Sequence, residues 1–155
     1  MTAKSDSGFA AGVTNVVERT IRNVEHGRFE RTLAGVTAIG AVVTGAEVFL
    51  AHDRASFGNK MMWLPVAFTP VLASAGVAGV MNRRMAKQLL PLVSAGAVFN
   101  GLQGTYLHLR GISQRPGGFR LARYNAEMGP PMFAPLLYSL VGGMGLVAAI
   151  LRRER

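Results

Sequence analysis

The sequence predicts an all-α integral membrane protein: four transmembrane helices arranged as two tandem, duplicated helical hairpins, preceded by an N-terminal amphipathic helix lying in the membrane plane. Three observations predict it. Half of the 155 residues are hydrophobic, and they concentrate in four runs, 32–51, 61–81, 89–107 and 131–151, that hold a single charged residue, Glu47. Each run has about the 20 residues that a helix needs to cross a hydrocarbon layer of roughly 30 Å. The third observation is repetition. Ala41, Val42, Gly45, His52 and Arg54 return as Ala97, Val98, Gly101, His108 and Arg110, an offset of 56, with Thr44 falling on Asn100 and Glu47 on the near-isosteric Gln103. Downstream, Pro65, Phe68, Pro70, Leu72 and Ser74 match Pro130, Phe133, Pro135, Leu137 and Ser139 at an offset of 65. Both copies then close on Arg-Arg, at Arg83-Arg84 and Arg152-Arg153.

Taken in order, residues 1–31 divide into a small, polar tip at 1–8 expected to be disordered and an amphipathic surface helix. Phe9, Val13, Val16, Val17, Ile21 and Val24 recur at helical spacing, opposite Glu18, Arg19, Arg22 and Glu25. The first hairpin takes 32–84. Its first helix carries Ala34, Ala38, Ala41 and Gly45 on one stripe, small enough for another backbone to approach closely. A short connection returns the chain through Trp63, a residue favoured at the membrane interface. Pro65 falls in the first turn of the second helix, and Pro70, deeper, predicts a kink. The second hairpin takes 88–153, after a basic loop at 82–88. Its first helix carries Ala97, Gly101, Gly104 and His108 on one stripe, at the spacing of Ala41, Gly45, Val48 and His52, an external loop spans 109–130, and a kink is expected at Pro135 in the last helix.

Composition excludes much chemistry. Without cysteine there are no disulfides, thiolate metal sites or iron–sulfur ligands, and no removable signal peptide is expected from the polar start. The net charge of +9 comes from Lys and Arg flanking the apolar runs, so lipid rather than nucleic acid is the expected partner. Eleven of the 17 Lys and Arg fall with the two termini and 82–88, and six on the other side. That excess places both termini in the cytoplasm, with the plasma (bacterial inner) membrane as the expected location.

Chemistry is expected at the matched ends of the first and third membrane helices. His52 and His108 share one depth, and imidazole is a good iron ligand. Gly45, Gly101 and Gly104 leave room beside them for a flat ring, while Arg54 and Arg110 could pair with two propionates. These are the parts of a bis-His haem b site. The bland alternative has interfacial histidines hydrogen-bonding to nearby loops, and a non-haem metal or a quinone pocket are further readings. Glu47, an intramembrane carboxylate, is expected to face the bundle and hydrogen-bond to Asn100, Gln103 or a backbone group freed by proline. No catalytic motif is present. The expected function is therefore a multi-pass anchor or accessory subunit of a larger membrane complex, of a redox or energy-transducing kind, meeting other subunits through the N-terminal helix or the 109–130 loop. The alternative is a small haem b protein carrying electrons between an external donor and the quinone pool.

Overall fold

The computed structural model of the chain describes residues 12–19, 21–22, 27–131 and 133–152, and these form helices and turns with no strand. Four long helices make the body: α1 (Arg28–Arg54), α2 (Trp63–Met81), α3 (Arg83–Ser113) and, after the short α4 (Ala122–Glu127), α5 (Ala134–Leu151). Both α1 and α3 pack against α2 and α5, so α1 and α3 lie diagonally across the bundle. Neighbours run antiparallel. In the first hairpin Gly45 meets Thr69 and Gly35 meets Val80; in the second, Gly101 meets Ser139 and Gly145 meets Ser94.

Among the described residues three stretches are long and apolar enough to cross a membrane: Arg28–Arg54, Lys60–Met81 and Ala134–Leu151. The expected fourth, within α3, is not among them. Ser94, Asn100, Gln103 and Thr105 interrupt its apolar run. The expected in-plane helix is helical at 12–19 and 21–22, with Val13, Val16, Val17 and Ile21 exposed. The tip at 1–8, Phe9, Val24, Glu25 and Arg153 lie outside the described residues.

Several boundaries differ from the sequence reading, each for a local reason. The basic stretch 82–88 is not a loop. Asn82 alone separates α2 from α3, in extended backbone, with its side-chain oxygen accepting from the amides of Arg84 and Met85. Such an N-cap satisfies two of the donors that a helix start leaves open, so Arg83, Arg84 and Lys87 lie within α3. The segment 109–130 is not an open loop either. α3 continues to Ser113, and a 3-10 turn at Gly118–Leu121 leads into α4. Asn125 is buried there and donates to the carbonyls of Pro116 and Gly118, which ties the connection into a cap. Pro135 stands in the first turn of α5 rather than at a kink. A proline there removes no helical hydrogen bond.

The contacts also re-register the repeat. Gly45 on α1 closes against Thr69, and its counterpart Gly101 closes against Ser139 and the Pro135 carbonyl. Thr69 therefore corresponds to Ser139, Pro65 to Pro135 and Phe68 to Tyr138, an offset of 70 rather than 65. Both prolines now occupy first turns, and both aromatics lie at the core.

The core is built of small residues, as close helix approach in a membrane favours. Ala41, Leu72, Ala97, Tyr138 and Val141 form its upper part with Phe68, and Ala34, Ala75, Leu90 and Ala148 its lower part. Hydroxyls on these helices return to their own backbone one turn back: Thr37 to Leu33, Thr44 to Gly40, Thr69 to Pro65 and Thr105 to Gly101. That pattern satisfies a polar group without water or a partner helix.

Candidate functional site

The two histidines sit at one end of the bundle, and each is tied to the segment that follows its own helix. His52 Nδ1 lies 2.9 Å from the Met62 carbonyl, and His108 Nδ1 lies 2.8 Å from the Pro131 carbonyl. A carbonyl only accepts, so Nδ1 donates in both rings and each neutral ring keeps its lone pair on Nε2. Beneath His52 the chain turns sharply. Phe57 N–H donates to the His52 carbonyl and Ser56 N–H to the Asp53 carbonyl, the paired bonds of a Schellman cap. Ser56 and Phe57 accordingly carry positive φ of 55° and 45°, where glycine is the ordinary occupant. Phe57 stacks on Trp63 with centroids 4.0 Å apart and meets the His52 ring edge-on. The turn thus places an aromatic cluster around His52 where the sequence expects an interface.

The three glycines expected beside the histidines stand against neighbouring side chains and backbone. Gly45 is filled by the Thr69 side chain, Gly101 by Ser139 and the Pro135 carbonyl, and Gly104 by Pro135, whose Cβ would lie 3.0 Å from an added methyl. These positions bring helices together within each hairpin. Between the diagonal helices, Tyr138 is buried among Ala41, Leu72 and Ala97, and its hydroxyl reaches the Pro65 carbonyl at 3.4 Å. Tyr138 thus fills the bundle at the depth of Ala41 and Ala97, eleven residues along each helix from His52 and His108. Arg54 and Arg110 are exposed. Two residues along a helix turn the side chain by about 200°, so an arginine placed there points away from its histidine.

Glu47 is also exposed, against expectation. The stripe of Ala34, Ala38, Ala41 and Gly45 takes the inward face of α1, and Glu47 lies about 200° round from Gly45. Asn100 is buried on the diagonal helix and Gln103 is half-buried, so neither meets it. Among the described residues Glu47 makes no hydrogen bond or ion pair.

Glu30, Arg152 and Asn125 are buried polar residues that the sequence reading did not place in the interior. Glu30 is fully buried in the first turn of α1, with neither carboxylate oxygen hydrogen-bonded. Its signal was present, because Glu30 precedes Ala34, Thr37 and Ala41 by 4, 7 and 11 residues on the inward stripe. Arg152, read as a topological charge, is buried and donates from Nη1 to the Gly79 carbonyl at 2.7 Å. It caps the C-terminal turn of α2, where a cation also suits the helix dipole. Asn125, the anchor of the external cap, gave no sign in the sequence.

The described residues hold no group of three or more His, Cys, Asp or Glu placed to bind a metal ion. His26, left without a role by the sequence, lies outside the described residues. Comparison with protein-family models, curated proteins and solved structures gives no match to this chain.

Proposed function

We propose that this chain is a multi-pass membrane anchor or accessory subunit of a larger complex, with α3 as a fourth span and both termini in the cytoplasm. The observation that carries the reading is the division between its surfaces. Outward faces are apolar on all four long helices: Ile39 and Val42 on α1, Val71 and Val77 on α2, Leu92 and Phe99 on α3, and Leu140 and Ile150 on α5. The interior is closed by Ala, Gly and Tyr138. A bundle solid within and apolar without offers lipid and neighbouring helices its flanks. α3 belongs to that arrangement, since it lies between α2 and α5 and exposes Leu92, Phe99, Leu102 and Tyr106. The matched histidines at one end of the bundle favour a redox or energy-transducing complex, and the close packing at Gly45, Gly101 and Gly104 favours an anchor over a haem carrier.

The test is native electrophoresis of membranes dissolved in a mild detergent, with the tagged chain followed by blotting. Migration within an assembly several times its 16.5 kDa mass is expected. Migration of the chain alone under every mild condition overturns the proposal.

A further inference from the structure

Val36, Val43, Glu47 and Leu50 are spaced 7, 4 and 3 residues apart, which places them on one stripe of α1. All four are exposed, so no other element among the described residues covers the stripe. Glu47 lies about 10 Å below the end of α1 at Arg54 and about 28 Å above its start at Arg28, from the 1.5 Å rise per residue. An ionised carboxylate at that depth is strongly disfavoured against lipid and is ordinarily paired. Among the described residues nothing pairs it. The chain's Lys and Arg side chains belong to the helix ends and connections, none falls inside the apolar runs, and Glu47 makes no bond among the described residues. A second copy set against the same face by a twofold along the membrane normal would oppose Glu47 to Glu47, like charge to like, and would bring no cation to that depth. Ala46 and Ala51 flank Glu47 and are exposed, so a partner backbone can come close.

We infer that this stripe is the docking face for one transmembrane helix of a different subunit, and that the docked helix carries a Lys, Arg or protonated His at the depth of Glu47. The inference rests on the anchor reading above and names the chemistry of its partner. Charge complementarity selects the occupant, because the apolar part of the stripe would fit lipid equally well and only the carboxylate requires a donor.

The experiment places a photoreactive amino acid at Val43 in the full-length chain in native membranes and sequences the cross-linked peptide by mass spectrometry. The expected product joins Val43 to a membrane segment of another protein that contains Lys, Arg or His. In Glu47→Leu the cross-link should be lost, while the thermal midpoint of the purified chain stays unchanged because Glu47 holds nothing inside the bundle. Glu47→Lys should lose it too and regain it when the partner's cation is replaced by Glu. A cross-link to another copy of this chain, to lipid only or to a segment without a cation overturns the inference, as does a cross-link that survives Glu47→Leu or a midpoint that falls with it. Native electrophoresis separates the two levels. A wild-type chain migrating alone removes the anchor reading and this one together, whereas an assembly unchanged by Glu47→Leu removes only the docking face.

Discussion

Gly142 and Gly143 are neighbours on α5, yet alanine at the two positions should act in opposite directions. A Cβ on Gly142 would stand 2.7 Å from the Ser94 carbonyl oxygen, 2.9 Å from the Val98 nitrogen and 3.0 Å from the Ala97 Cβ. Ordinary contact begins at 3.4 Å, so the shortfall toward Ser94 is about 0.7 Å, 3.4 less 2.7. Two of the three obstructing atoms are backbone, and no rotamer change can relieve them. α3 and α5 must separate, which loosens the closest interface of the second hairpin and costs about 1–3 kcal/mol, the range for overpacked cores. Gly143 has nothing within 4 Å of its Cβ position. Alanine there gains about 0.5–1 kcal/mol from the lower backbone entropy of the unfolded chain and its better helix propensity. That gain is common to both variants and cancels in their difference, so the two should differ by the overpacking cost of about 1–3 kcal/mol. Unfolding by titration with a denaturing detergent, followed by far-ultraviolet circular dichroism, measures the difference. Gly142→Ala as stable as Gly143→Ala would refute the close approach of α3 and α5 on which the description of the core rests.

Four other expectations follow from particular residues. Glu30→Leu should raise stability by about 1–3 kcal/mol in the same titration, because it removes a buried carboxylate whose oxygens meet no donor; a loss would reveal a partner for that carboxylate. His52→Ala and His108→Ala should each cost about 0.5–1.5 kcal/mol, the value of one hydrogen bond from a helix end to the following segment. Wild-type protein purified from haem-replete cells should show no Soret band; a reducible Soret band abolished by either substitution would overturn the assignment of Tyr138 and the glycines to packing. Single cysteines replacing Lys87 and Gln114, both exposed near opposite ends of α3, should label from opposite sides of the membrane, Lys87 from the cytoplasm; labelling of both from one side would remove α3 as a span.

Hydropathy and periodicity were enough to place the long helices and their order, because apolar runs of membrane length and Gly or Ala stripes are local properties of the chain. The matched histidines were legible for the same reason, and so was the diagonal placement of the helices that carry them. Boundaries were less so. That Asn82 caps α3 directly, and that Pro135 opens α5, depends on hydrogen bonds a few residues wide that hydropathy does not register. What the sequence could not determine is which way each side chain on a helix points once two packing faces compete. The inward face of α1 was claimed by Ala34, Ala38, Ala41 and Gly45, whose small size lets α2 and α5 close on them. Geometry then turned Glu47 outward and Glu30 inward, against the expectation from charge alone. The glycines beside the histidines read equally well as room for a ligand or room for a helix. Only the tertiary structure decided between them, by setting Thr69, Pro135 and Ser139 against those positions and Tyr138 between the diagonal helices, since an empty Cβ position is filled by whichever neighbour the whole bundle brings closest.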